Sequence, residues 1–444
     1  MYTDLTKGNI TKTLILFVLP MMAGNLLQQF YNIADTLIVG RFLGSNALAA
    51  VGSAFTLMTF LTSILLGLSM GAGAIFAIYR GKGDNVRLKA AIVHAFGFIV
   101  VIAVLLNTAV FLWIDPIMAF LQVPMEVYGL MREYLWIIFT GILATFLYNF
   151  FSCLLRAIGN SRVPLTFLGV SAILNIGLDL LFVLVFHWGV GGAAIATVIS
   201  QYAAGIGITI YTLRFCRDIC PTRHDIRWNG SVLKEICQLS LFTCMQQSIM
   251  NFGILMVQGL VNSFGPVIMA AFAAAVKIDS FAYTPVQDIG NGFSTFVAQN
   301  YGAGKFNRIS QGIRKILQLT VLFSVTVSAI VVIFARHLML IFVQPHETEI
   351  LAQGVQYLRI VGIFYWGIGC LFLLYGFYRA VRRPGMSVVL TVISLGTRVV
   401  LAYLLSDVIG VVGIWTAIPI GWILADTVGV IYYLKNKNQL SQIT

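Results

Sequence analysis

The chain of 444 residues is 59% hydrophobic and only 10% charged, with a mean hydropathy of +0.91. Ordinary soluble domains are roughly a quarter charged, so a soluble globular reading is excluded and the bilayer is the main solvent. The net charge of +12 invites a nucleic-acid reading, which the placement of the charges removes below.

Six cysteines occur without a CxxC pair or any metal-ligand spacing, which argues against a disulfide framework or a structural metal. The N-terminal stretch MYTDLTKGNITK is polar, and the first apolar run reaches Asp35 without a small-residue cleavage site, so it reads as a retained helix. No GxxxxGK[ST], HExxH or GxSxG motif is present and the five histidines are scattered. Neither catalysis nor ATP hydrolysis is expected, and no cofactor.

A membrane span needs about 20 apolar residues. On that measure the sequence predicts twelve spans, at 13–39, 46–79, 90–113, 127–154, 163–186 and 190–213, then 233–262, 268–298, 309–334, 348–378, 385–406 and 411–434. Their runs are continuously apolar, unlike the short alternating segments of an outer-membrane barrel. Of the 28 Lys and Arg, 22 lie before span 1, after the even-numbered spans or after span 12. Cytoplasmic loops retain positive charge, which predicts both termini in the cytoplasm and explains the basic balance by topology instead of by nucleic acid.

Shifting the chain against itself by 221 residues pairs Gly44 with Gly265, Ala54 with Ala275, Gly71 with Gly292 and Gly81 with Gly302. The same shift pairs Gly83 with Gly304, Arg87 with Arg308 and Gly189 with Gly410. Each half has an even number of spans, so the repeats are parallel, related by an axis along the membrane normal. The expected organisation is a six-helix lobe at 1–213, a basic linker at 214–232 and a second six-helix lobe at 233–444.

Polar residues inside the spans mark the candidate site. Span 1 carries Asn25, Gln28, Gln29, Asn32 and Asp35 at helical spacing, span 5 carries Ser171, Asn175 and Asp179, and span 6 offers Thr197 and Gln201. An unpaired charge within the bilayer costs several kcal/mol unless it is protonated, paired or coordinated. Asp35 and Asp179, with Asn175 and Thr197, would supply hard oxygens for Na⁺, and burial would equally suit proton exchange. The plainer reading is that the two acids are structural hydrogen-bond acceptors between helices.

In the second half, span 7 carries Gln246, Gln247 and Asn251, and the residue 221 positions after Asp35 is Met256. Span 8 brings Lys277, Asp279 and Asp288, with Lys277 and Asp279 on different faces. Span 11 adds Arg398 and span 12 Asp426, all readable as internal salt bridges or as functional groups. Tyr134 and Tyr283 are among aromatics that either line a cavity or pack. Pro20, Pro285 and Pro419 sit within spans and permit bending.

The run LFVLPMMAGNLLQQFYNIADTLIVGRFLG, the loop RGKGDNVR with its partner YGAGKFNR, and the NIGLD segment resemble the multidrug and toxic compound extrusion (MATE) family. The likeness covers nearly the whole chain. It implies an all-α, V-shaped pair of six-helix bundles in the cell membrane, an arrangement that can work as a monomer. It further implies alternating access, with cationic or amphiphilic drugs expelled in exchange for Na⁺ or H⁺. In members with a first-lobe ion site, that site is formed by residues matching Asp35, Asn175, Asp179 and Thr197, with Tyr134 in the neighbouring cavity and bending at Pro20. The acidic pair that other members carry on helices 7 and 10 is missing here, which favours first-lobe coupling. Gln28, Asn32, Gln247, Asn251, Lys277, Asp279, Tyr283 and Arg398 are expected around the substrate. Rival readings are a flippase for a lipid-linked precursor, for which Lys277 and Arg398 are the central cations, a narrow metabolite exporter, and a channel.

Overall fold

The computed structural model describes residues 3–120, 123, 125–222 and 229–442, and among them every regular element is helical. Arg223 and Arg227 of the linker lie outside the described residues. In chain order the helices are α1 (Ile10–Phe42), α2 (Ser45–Lys82), α3 (Asn85–Leu112), α4 (Ile114–Phe120), α5 (Met125–Ile138), α6 (Ile142–Ala157), α7 (Arg162–Asp179) and α8 (Gly189–Phe215). They continue as α9 (Gly230–Asn262), α10 (Pro266–Gly302), α11 (Phe306–Ile333), α12 (Ala335–Met339), α13 (Thr348–Gly362), α14 (Tyr365–Ala380), α15 (Pro384–Ile409) and α16 (Val411–Gln442).

Ten stretches among the described residues are long and apolar enough to cross a membrane. The pair α13 and α14, bent by 51°, makes an eleventh. The twelfth expected span, α9, is 33 residues long but dilutes its apolar run with Gln246, Gln247 and Asn251. Backbone groups in lipid must be satisfied within the segment, and helices do this.

Two expected spans are interrupted. Span 4 is α5 and α6 joined by a 3₁₀ turn at Phe139–Gly141, and span 10 breaks between Gly362 and Tyr365. The two breaks fall at matching places in the 221-residue repeat. Span 5 widens into a π-helical stretch, Leu180–Val185, immediately after Asp179. Such widenings collect at functional sites because they redirect side chains.

The repeat is visible in backbone geometry. Gly83 closes α2 at φ +72°, its N–H bonding to the Arg80 carbonyl while Asp84 N–H bonds to that of Tyr79. Gly304 closes α10 at φ +67° with the corresponding bonds to Tyr301 and from Lys305 to Asn300. Left-handed φ at a helix end favours glycine, which explains the shared loop signature.

Packing divides the chain into two compact units, one of Met1–Asp4 with Leu19–Cys244 and the other of Leu5–Val18 with Met245–Thr444. The division within α1 falls beside Pro20, which lies inside one continuous helix. In the first unit, a side chain on Gly71 of α2 would meet the Ser240 Cα at 2.5 Å, so α9 begins by packing backbone to backbone on α2. In the second, a side chain on Gly292 of α10 would meet Val18 Cγ2 at 2.4 Å, and α1 begins by packing on α10. Each unit therefore incorporates the first stretch of the span that opens the other half of the sequence.

Candidate functional site: a buried carboxylate pair

Within the first unit α1, α5, α7 and α8 place Asp35, Tyr134, Asn175, Asp179 and Thr197 together. Asn175 and Asp179 are one helical turn apart on α7, which directs both to α8. Asp179 is 0% exposed and Asn175 1%, although both lie in a helix bordered by lipid-facing residues such as Ile173. The Asp35 and Asp179 carboxyls face each other closely enough to interact directly. Oδ1 of each is buried and has no hydrogen-bond partner among the described residues. Tyr31 stands beside Thr197 and Asp35, and Tyr134, itself buried, borders both acids.

The Asn175 amide is best satisfied with its nitrogen donating to Asp179 Oδ2 at 2.8 Å. Its oxygen then accepts from the Thr197 hydroxyl and backbone N–H, both at 3.2 Å. Turned the other way, the amide donates to Thr197 Oγ1 at 3.2 Å and presents its oxygen to the Asp179 carboxylate, an arrangement that calls for a proton or cation between them. Four oxygen-bearing side chains thus converge, a donor set suited to a hard monovalent cation or to a proton. Gln28, by contrast, is exposed on α1, and Asn32 is half-buried one turn before Asp35.

The second unit holds a different cluster. Asp279 on α10 accepts a hydrogen bond from the Tyr357 hydroxyl at 2.7 Å and another from the Tyr365 hydroxyl. Arg398 on α15 and Tyr283 are its other polar neighbours. Lys277 points elsewhere, with its ammonium 5.9 Å from the Phe342 ring centre, in keeping with its different helix face. Gln247 is 5% exposed, and Asn251 donates to the Gln247 carbonyl one turn back on α9 at 3.1 Å. Asp426 is buried at both carboxylate oxygens without a partner among the described residues. Tyr357 and Tyr365 carry no signal in the sequence, because a tyrosine in an apolar run bears no sign of its partner.

The sequence pattern of the MatE family matches residues 20–181 and 241–404. The chain is 30% identical over 392 residues to "Probable multidrug resistance protein YpnP" of Bacillus subtilis (strain 168), covering 88% of this chain and 87% of that protein. It is 26% identical over 419 residues to "Probable multidrug resistance protein YoeA" of the same organism, covering 90% and 88%. A solved structure described as the outward-facing conformation of a multidrug resistance MATE family transporter superposes with a TM-score of 0.93 at 23% identity, covering 99% of this chain and 98% of that one. Two six-span halves in this fold, matched by the family pattern in each half, show that the chain belongs to the MATE family of multi-pass membrane transporters, proteins that move small molecules and are not enzymes.

Proposed function

We propose that this protein exports cationic or amphiphilic small molecules by alternating access, as an antiporter driven by entry of Na⁺ or H⁺. The observation that carries the reading is the facing pair Asp35 and Asp179, each with a buried oxygen left without a partner. Two carboxylates in contact at low dielectric repel strongly, so both can be ionised only with a cation between them; otherwise one holds a proton. The pair is thereby a switch whose net charge depends on cation occupancy. The Asn175 amide supports either state, donating to a bare Asp179 or turning its oxygen toward a bound cation. Export follows when the cation and the organic substrate favour different conformations, because coupling is the difference in affinity between those states. The names of the relatives, multidrug resistance proteins, agree with a permissive substrate.

The same proposal includes lobes at 1–213 and 233–444 joined by 214–232. It places the protein in the cell membrane with both termini cytoplasmic, acting as a monomer. Bending of α1 at Pro20 would transmit occupancy of Asp35.

The test is efflux of a lipophilic cationic dye from proteoliposomes under an imposed Na⁺ gradient or an imposed pH gradient. Efflux driven by one gradient, and reduced at least about tenfold in Asp35→Asn and Asp179→Asn, a rise of about 1.4 kcal/mol or more in the transport barrier, supports the reading and names the ion. Gradient-driven efflux that survives both substitutions overturns it.

A further inference from the structure

An open groove of about 640 Å³ runs along the second unit, between residues 8–11 and the first turns of α11. Its α11 wall presents Gln311, Arg314, Lys315 and Gln318. These lie at spacings of three, four and seven, so amide and cationic donors share one helical face on successive turns. Arg308 at the base is already engaged: its guanidinium donates to the carbonyls of Leu5 at 3.2 Å, Lys7 at 2.6 Å and Gly8 at 2.7 Å, and lies over the Phe296 ring. It builds the groove and leaves Arg314 and Lys315 as the free cations. Both are exposed and neither forms an ion pair with another described residue. Among the described residues, no acidic side chain lines the groove.

A second groove of about 470 Å³ shares Asn9 and Thr11 with the first and continues along α1 past Lys12 to Ile15 and Leu16. Its lining is almost wholly apolar, and Ile15 and Leu16 are 39% and 44% exposed. Both residues belong to a helix long and apolar enough to cross the membrane, so this strip opens toward lipid. From Lys12 to Leu16 the helix rises about 6 Å, which sets cationic donors and an apolar strip a short distance apart along the membrane normal.

We propose that the joined grooves bind one anionic phospholipid, its phosphate held by Arg314, Lys315 and Lys12 and an acyl chain laid along Ile15 and Leu16. Charge complementarity selects the anion, and continuity with an apolar strip selects a lipid over a soluble phosphate, which would use only the basic end. The site lies wholly in the second unit and uses none of the carboxylate pair, so it is a separate binding function.

The experiment is native mass spectrometry of the full chain released from micelles carrying equal phosphatidylglycerol and phosphatidylcholine. Wild type is expected to retain one phosphatidylglycerol, with excess inorganic phosphate failing to displace it. Each cation near a lipid surface contributes about a fivefold gain in affinity for anionic lipid, so Arg314→Gln with Lys315→Gln together should weaken retention about 25-fold. Ile15→Asn should weaken it with the charges intact. The paired control Lys82→Gln with Arg217→Gln removes two cations elsewhere and should leave retention unchanged. Equal retention of both lipids, displacement by phosphate, or equal losses in the control and the groove variant would each overturn the proposal.

Discussion

One buried acid of the second unit and the acidic pair of the first are treated differently. Asp279 in the second is clamped by the hydroxyls of Tyr357 and Tyr365, with Arg398 nearby. Asp35 and Asp179 in the first face each other, and each keeps a buried oxygen without a partner. The repeat does not copy either cluster: at the 221-residue offset Asp279 corresponds to Met58 and Arg398 to Gly177, while Asp179 corresponds to Val400 and Asn175 to Gly396. A shared backbone thus carries two chemistries. A carboxylate whose lone pairs are filled by fixed hydroxyls is structural glue, whereas a facing pair short of donors is where we propose that a cation binds.

The sharpest way to break this contrast is to neutralise one acid in each unit and follow transport and stability together. Asp179→Asn is expected to remove gradient-driven efflux while the protein remains folded. Asp279→Asn is expected to leave the ion dependence of efflux in place. Tyr365→Phe should lower stability by about 1–3 kcal/mol, because it strips a donor from a buried carboxylate, read as a fall in thermal midpoint in detergent. If Asp279→Asn changes which gradient drives efflux, the division of labour between the units is wrong.

A comparable loss is expected from crowding the close helix approaches. Gly71→Ala places a methyl against the backbone of Ser240, which cannot move aside, and should destabilise by about 1–3 kcal/mol. Gly292→Ala meets the side chain of Val18 instead, and should cost less. Thermal unfolding of both variants checks the order; the reverse order would mean that α1 is held more rigidly on α10 than α9 is on α2.

The smallest effect is expected at the exposed cluster on α4 and α5, where Arg132 Nε donates to Asp115 Oδ1 at 2.8 Å and Tyr128 adds a second hydrogen bond at 3.0 Å. The Arg132 guanidinium, then the Tyr128 hydroxyl, hold the Asp115 carboxyl below the usual carboxylate range. A lowered folded-state pKa contributes stability that is present above the unfolded value and lost as pH falls through the folded one. Arg132→Gln should therefore open a slight gap in thermal midpoint at neutral pH that closes below the ordinary Asp value of about 3.9. A gap that widens on acidification would contradict the assignment.

Much of the architecture is legible in the chain. The spans expected at 13–39 and 268–298 correspond to α1 and α10 with a few residues added at each end, because hydropathy is a local property and lipid demands continuous helix. Gly83 and Gly304 match at the 221-residue offset because a left-handed helix end restricts which residue can stand there. Asp35, Asn175, Asp179 and Thr197 stand out as polar residues on helix faces that could not look at lipid. The interruptions of spans 4 and 10 are not legible, since each lies inside an unbroken apolar run, and neither is the π-helical widening after Asp179. Arg379 reads as one more loop cation, yet it is 5% exposed and donates to Ser294 and Asn291.

By itself, the sequence determined the order of the membrane spans, the repeat between the two halves and which residues are out of place in a membrane. These follow from periodicity, hydropathy and glycine spacing, which are properties of neighbours along the chain. Only the tertiary structure decided which out-of-place residues meet: Asp35 and Asp179 are 144 positions apart, and Asp279 finds its donors 78 and 86 residues away. Whether a buried acid is satisfied or left short of donors depends on groups that arrive from other helices, and no local pattern encodes their arrival.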